Sequence, residues 1–151
     1  MKNSLYEDGD YKLWLLLHQA RDAAFKVRRK ELRKFGLSNV EAAVLFFVQV
    51  IQGAVTPAKI SRCILREPNS VSTLLNRMER KGLVRKVNNL ERRNLVRVVI
   101  TEKGKQAYYQ SARRESILRI ISALSEEERQ QLNSCLNKLV NKAMEELGMG
   151  R

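Results

Sequence analysis

Apolar residues recur at helical spacing in the N-terminal third of the chain. From Leu5 to Phe35 this spacing predicts one long helix with a single apolar stripe. Gly36 follows a basic turn and marks the end of that helix. The stripe consists of Leu13, Leu16, Leu17, Ala20, Ala24 and Val27.

A second helix is predicted to begin at a capping box formed by Ser38 and Glu41. Apolar residues nearly surround it up to about Gly53, which is typical of a buried core helix. Thr56 followed by Pro57 then begins a third helix, because a hydroxyl cap and a proline at the first helical position both favour a helix start.

The third helix is predicted to be short, because Pro68 closes its segment. A fourth helix should begin at about Asn69 or Ser70, continue to Lys81 and end at Gly82. The short connection over residues 65–68 gives the two helices the outline of a helix-turn-helix.

After Gly82 the hydrophobic period shortens to about two residues. Residues 83–87 and 95–100 are rich in β-branched side chains and roughly alternate, whereas the residues between them are polar and turn-forming. The pattern predicts a β-hairpin with a long basic tip that carries Arg92 and Arg93.

Helical spacing returns at Thr101, which is predicted to cap one helix that continues to about Ala123. Ser125 and Glu128 form a second capping box. It precedes a last helix whose apolar residues have near-heptad spacing. These residues are Leu132, Leu136, Leu139, Val140, Ala143 and Leu147.

The predicted fold class is mainly α with a small β-hairpin wing, in a single chain unit over residues 1–151. Residues 38–100 form a winged helix-turn-helix lobe. Residues 5–35 and 102–147 supply interlocking N- and C-terminal dimerisation helices, because their apolar stripes are too long for so small a lobe to bury.

The fourth helix has two chemically distinct faces. Val71, Leu74, Leu75 and Met78 share the apolar face. The opposite face carries amide, hydroxyl and guanidinium groups, which read base edges or bind phosphates. With the hairpin tip, the predicted DNA-binding residues are Asn69, Ser70, Ser72, Thr73, Asn76, Arg77, Arg80, Arg92 and Arg93.

Charge favours DNA contact over a merely solvated helix face. The net charge is +13, and Arg77 to Arg97 contains eight Lys or Arg against two acids, Glu79 and Glu91. A face that serves only solubility usually mixes the two signs. Sequence-specific binding to double-stranded DNA is therefore predicted, with a non-specific architectural nucleic-acid-binding protein as the alternative.

Other classes of function find little support. The polar start of the chain lacks an apolar signal region, and no apolar run is long enough to span a bilayer, so a cytoplasmic location without membrane contact is predicted. Two separated cysteines, Cys63 and Cys135, and the single His18 do not predict a metal site. The sequence has no Gly-rich phosphate loop and no nucleophile elbow, so neither an enzyme nor a cofactor is predicted. Both cysteines are interpreted as small core or interface residues.

The run from Asn69 to Val84 resembles the recognition helix and first wing strand of the multiple-antibiotic-resistance regulator (MarR) family. Leu37-Ser38, and the hairpin end from Val98 to Gly104, resemble the same family. The resemblance implies a dimeric winged-helix repressor or activator, with a repressor favoured, on a pseudo-palindromic operator. It also implies an arginine of each wing in the minor groove, and the sequence leaves Arg92 and Arg93 as alternatives.

A small aromatic ligand that releases DNA is a further implication of the resemblance, because many members bind one between the dimer helices and the DNA-binding lobe. The candidate pocket residues are Trp14, His18, Phe46 and Tyr108. For most of these side chains, packing in the core is the competing and simpler interpretation.

Overall fold

The computed structural model of the chain describes residues 8–88 and 95–149. Its elements, in chain order, are α1 (Gly9–Leu32), a 3-10 turn (Arg33–Phe35), α2 (Asn39–Val50), α3 (Pro57–Ile64), α4 (Pro68–Arg80), β1 (Val84–Asn88), β2 (Val96–Ile100), α5 (Glu102–Ser111), α6 (Glu115–Ile121) and α7 (Glu126–Glu146). The mainly α fold with one antiparallel hairpin is confirmed. The predicted hairpin tip lies outside the described residues.

The chain divides into two compact units. The first unit ends at Arg114 and contains α1 to α5 with both strands, and the second begins at Glu115 and contains α6 and α7. Four of the predicted helix starts are confirmed, because the side chains of Ser38, Thr56, Thr101 and Ser125 each accept a hydrogen bond from the backbone of the first turn. Local sequence therefore sets where these helices begin.

The third helix is short, as predicted, but the placement of Pro68 in the turn before the fourth helix is wrong. Pro68 is the first residue of α4, after Glu67 as the N-cap. A proline suits the first helical position because its missing N–H would have no partner there. The turn between α3 and α4 is therefore only residues 65–67, and Leu65 takes a left-handed conformation with φ of 53°.

The core of the first unit lies under α4. The predicted apolar face of α4 is confirmed, since Val71, Leu74, Leu75 and Met78 are all buried. They share one hydrophobic cluster with residues from α1, α2, α3, the hairpin and α5. The other members are Leu32, Leu37, Val44, Leu45, Val55, Ile60, Leu83, Val84, Val98 and Ala107.

The hairpin docks on this core through its backbone. β1 and β2 are antiparallel with Lys86 opposite Val98, and the Val98 N–H donates to the Val55 carbonyl at 2.8 Å. At the base of the hairpin, the backbone N–H of Thr101 donates to the Leu83 carbonyl at 3.1 Å. The wing therefore has a fixed position relative to the chain that precedes α3.

The single helix predicted from Thr101 to about Ala123 is two helices. α5 ends at Ser111, and Arg114 takes a positive φ of 51° before α6 begins. No glycine or proline marks this break. Tertiary contacts stabilise it instead, because buried Arg28 of α1 donates to the Ser111 carbonyl at 3.1 Å and Arg114 lies over the ring of Phe46.

Candidate nucleic-acid interface

The polar face of α4 lies on the surface opposite its buried stripe. Each predicted DNA-binding residue of α4 is exposed: Asn69, Ser70, Ser72, Thr73, Asn76, Arg77 and Arg80. The helical period explains this separation, because the four buried side chains fix the direction in which all the others point. The helix thus presents donors and acceptors to solvent along its length.

The first strand of the wing is bound to α4. The backbone N–H of Lys86 donates to Glu79 Oε2 at 2.7 Å, and the Lys86 ammonium donates to the Asn76 side-chain carbonyl. The same ammonium lies 3.9 Å from Glu79 Oε1. These contacts hold β1 at a fixed distance from the polar face of α4, and they occupy the oxygen of Asn76.

Glu41 forms a buried ionic contact beneath α4. Its side chain is only 1% exposed, and its carboxylate accepts from Arg77 Nε at 3.2 Å and from Lys81 Nζ at 3.0 Å. It also completes the predicted capping box by accepting from the Ser38 backbone N–H at 3.0 Å. One acid of α2 is therefore attached to two cations at the C-terminal end of α4.

The protonation of Glu41 reflects opposing effects. Burial raises the pKa of this carboxyl, but the hydrogen bond from Ser38 and the charges of Lys81 and Arg77 outweigh burial, so its pKa lies below the usual 4.5. Glu41 is therefore ionised at neutral pH, and its negative charge pairs with Arg77 and Lys81.

The lowered pKa of Glu41 predicts acid-sensitive stability. A carboxyl with a lower pKa in the folded state stabilises the fold above the unfolded value of about 4.5, and the contribution is lost as the pH falls through the folded value. The Glu41→Gln variant should therefore approach wild-type stability in acid, because protonated Glu41 resembles glutamine.

Urea unfolding from neutral to acidic pH measures this difference. Glu102→Gln is the matched control, since the Glu102 side chain is 85% exposed and pairs only with Lys105 among the described residues. A difference between wild type and Glu41→Gln that stays constant over the whole pH range would contradict the assignment.

The wing extends the basic surface beside α4. Arg85 of β1 and Arg97 of β2 are exposed on the two strands. Glu79, the acid within this stretch of α4, is engaged with Lys86. Arg92 and Arg93, predicted for the minor groove, lie outside the described residues, so their role stays a prediction.

The predicted pocket residues fall into two pairs. The rings of Trp14 and His18 lie 4.9 Å apart on α1, where both side chains are exposed. Phe46 and Tyr108 are both in contact with Arg114, which lies over the Phe46 ring and donates to the Tyr108 hydroxyl at 3.3 Å. Their part in ligand binding stays a prediction.

A separate open pocket of about 670 Å³ lies between α1, α2 and α3. Its lining combines two aromatic rings, four cationic side chains, one carboxylate and one thiol. These residues are Phe25, Phe47, Arg21, Lys26, Arg29, Arg66, Asp22 and Cys63, and Asp22 pairs with Arg21 at 3.2 Å. Cys63 and Cys135 are both exposed, so the interpretation of either as a core residue is wrong, while a place in an interface stays a prediction.

Three residues of the interface were not predicted from the sequence. Glu41 was recognised only as a helix cap, and Lys81 and Lys86 had no assigned role. An acid that follows a serine by three residues already has a sufficient local explanation, so nothing in the pattern indicated its contact with α4. The sequence signal for Lys86 is its charge, which is opposite to that of Glu79 seven positions earlier.

The sequence model of the MarR family matches residues 35–88, which contain α2, α3, α4 and β1. The organohalide-sensing RdhR transcriptional regulator, solved with 2,4-dichlorophenol bound, is 29% identical to the chain; the match covers 88% of this chain and 80% of that one, with a TM-score of 0.81. The chain is therefore similar to the MarR family in the sequence of residues 35–88 and in the fold of most of its length.

Two further structures share the fold of this chain. AbsC from Streptomyces coelicolor is 21% identical over 90% of this chain and 95% of its own, with a TM-score of 0.82. A cysteine-to-serine mutant of E. coli MarR, solved with operator DNA, is 18% identical over 85% of this chain and 93% of its own, with a TM-score of 0.78. Comparison with curated proteins gave no significant match.

Within residues 8–88 and 95–149, none of the helices has the length and apolar character needed to cross a bilayer. Among the same residues, no three His, Cys, Asp or Glu side chains lie close enough together to hold a metal ion.

Proposed function

We propose that this protein is a transcription regulator of the MarR family, acting as a repressor, that binds a pseudo-palindromic operator as a homodimer. The observation that carries the proposal is the exposed amide, hydroxyl and guanidinium face of α4, with β1 attached to it through Lys86. The N-terminal residues of such a helix enter the major groove and contact base edges, while the flanking cations bind phosphates. The E. coli relative with operator DNA supports this docking.

The homodimer is supported by apolar surface on the terminal helices. On α1, Leu13, Trp14 and Leu16 are each more than half exposed. On α7, which has no buried residue, the predicted seam includes the exposed Leu132, Leu136, Leu139 and Val140. Apolar patches of this extent mark protein–protein contacts, and two recognition helices read enough base pairs for useful specificity.

A small aromatic anion is the proposed effector. The open pocket offers Phe25 and Phe47 for ring contacts and four cations for an anionic group. The RdhR relative was solved with 2,4-dichlorophenol, an aromatic ligand with an ionisable hydroxyl. A cytoplasmic location and an absence of enzymatic activity accompany the proposal as predictions.

Selection of binding sites from a random pool of duplexes tests the proposal. We expect a pseudo-palindrome with half-sites about one helical turn, roughly 34 Å, apart. The logarithm of affinity for the selected duplex should fall with the logarithm of salt concentration, with a slope of about −0.9 per phosphate neutralised. Equal affinity for shuffled duplexes would overturn the proposal and favour non-specific architectural binding.

The selected duplex is also used to test whether the proposed effector weakens DNA binding. Adding 2,4-dichlorophenol to the complex should raise the Kd for DNA, and Phe47→Ala should reduce that response because a ring contact is lost. An unchanged Kd with this phenol and with benzoate would contradict the effector and leave DNA binding standing.

A further inference from the structure

Glu41 keeps a charge that its capping role does not require. A glutamine at the same position of a capping box accepts the hydrogen bond from the cap N–H equally well. A buried carboxylate, in contrast, loses its hydration and must be compensated by cations and hydrogen bonds. The compensation here comes from Arg77 and Lys81, both on or next to the end of α4. The charge of Glu41 therefore binds the two cations at the C-terminal end of α4.

The contact with Glu41 sets the orientation of the Arg77 guanidinium. Glu41 accepts from Nε at 3.2 Å, whereas the Arg77 side chain remains 48% exposed. A guanidinium bound through Nε directs its outer edge, formed by the two terminal amino groups, away from that partner. This outer edge has the fork geometry that binds a phosphate through two parallel hydrogen bonds.

The position of Arg77 in the helix favours a phosphate over a base. α4 begins at Pro68, and Arg77 lies in its last turn. The first residues of a recognition helix contact base edges in the major groove, so its last turn lies towards the rim of the groove, where the phosphates are. Arg77 is thus displaced from base reading towards backbone binding.

We infer that Glu41 is a positioning residue for DNA binding: it fixes the Arg77 guanidinium for a bidentate contact with an operator phosphate, and thereby fixes how α4 sits in the groove. The inference rests on the proposed operator binding and adds to it the group that prepares one of the contacts. Glu41 itself does not touch DNA.

The direction in which DNA affinity changes when Glu41 is neutralised distinguishes a positioning role from an effect of net charge alone. Removal of an anion from a DNA-binding protein strengthens binding to DNA if only net charge matters. Removal of Glu41 as a positioning residue instead weakens binding, because Arg77 must then be ordered when the complex forms. Glu102→Gln changes the net charge equally at an exposed site on α5 and is the matched control.

The experiment measures the Kd of the full-length protein for the selected duplex over a range of salt concentrations, below the unfolding temperature of each variant. Glu41→Gln should weaken operator binding about tenfold with little change in the salt slope, because Arg77 still neutralises its phosphate, whereas Arg77→Ala should reduce the slope by about one. Glu102→Gln should bind as tightly as wild type or slightly more tightly. Arg77→Ala should weaken binding as much as Glu41→Gln or more, and adding Glu41→Gln to it should cost little further affinity.

A second variant keeps the inference testable if Glu41→Gln is poorly folded. Arg77→Lys retains the charge but lacks both Nε and the fork, so it cannot pair with Glu41 and bind a phosphate in two places at once. It should lose nearly as much affinity as Arg77→Ala. The half-exposed position of Arg77 makes this substitution tolerable for folding.

Three outcomes count against these assignments in different ways. Wild-type affinity in Arg77→Lys, or equal behaviour of Glu41→Gln and Glu102→Gln, would overturn the positioning role. Fully additive losses in the Glu41 and Arg77 double variant would overturn it as well, since independent groups add. A wild-type protein with no preferred duplex would instead refute the proposed function itself.

Discussion

The Gly104→Ala variant is expected to lose about 3 kcal/mol of unfolding free energy, at the upper end of the usual cost of overpacking. An added Cβ at this position of α5 would lie 2.1 Å from the Leu83 carbonyl oxygen and 2.8 Å from Cγ1 of Ile100. The nearer atom belongs to the backbone, so it cannot rotate away as a side chain would. α5 must therefore move away from the backbone at Leu83 and from Ile100 of β2.

The same substitution should also displace the wing. Leu83 connects α4 to β1, and its carbonyl accepts the N–H of Thr101 at the base of the hairpin. Movement of this carbonyl changes the angle between the recognition helix and the wing, so operator affinity should fall even in the folded fraction.

Urea unfolding and operator titration together measure the two effects of Gly104→Ala. Gly9→Ala is the control, since an added Cβ at Gly9 meets nothing within 4 Å and alanine favours a helix. Stability of Gly104→Ala within about 0.5 kcal/mol of wild type, the range of a neutral surface change, would refute the close approach.

The Leu136→Asp variant should be largely monomeric and should bind the operator about a hundredfold to a thousandfold more weakly. Leu136 lies at the middle of the exposed apolar seam of α7. A carboxylate buried in a dimer interface without a partner is strongly unfavourable. Two half-sites held by one dimer gain affinity through their linkage, and a monomer loses that gain.

Sedimentation at micromolar protein concentration and titration of the selected duplex measure this result. Asn141→Asp is the matched control, because it introduces the same charge on an exposed position opposite the seam of the same helix. A Leu136→Asp protein that sediments as a dimer would show that α7 does not carry the dimer contact.

The local elements of the first unit could be predicted because they depend on neighbouring residues. The cap at Ser38 is decided by a hydroxyl and an acid three residues later, and the cap at Thr56 by the proline that follows it. The buried and polar faces of α4 follow from the helical period alone. The candidate DNA-contacting surface was therefore visible in the sequence.

Prediction was wrong where a local signal had two interpretations or no signal existed. Pro68 suits both the end of one helix and the first turn of the next, and only the observed α4 distinguishes the two. The break between α5 and α6 has no glycine or proline, and depends on Arg28 and Arg114, whose partners lie far along the chain. The exposure of Cys63 likewise depends on tertiary structure, because its thiol lines the open pocket between α1, α2 and α3.

By itself, the sequence determined the order of the helices, their N-terminal caps, the hairpin and the polar face of α4, because periodicity and capping act within a few residues. The tertiary structure alone decided that Glu41 binds Arg77 and Lys81, and that Lys86 binds Asn76 and Glu79. Glu41 and Arg77 are separated by 36 positions, and an ion pair of that kind requires α2 and α4 to pack on the same core first.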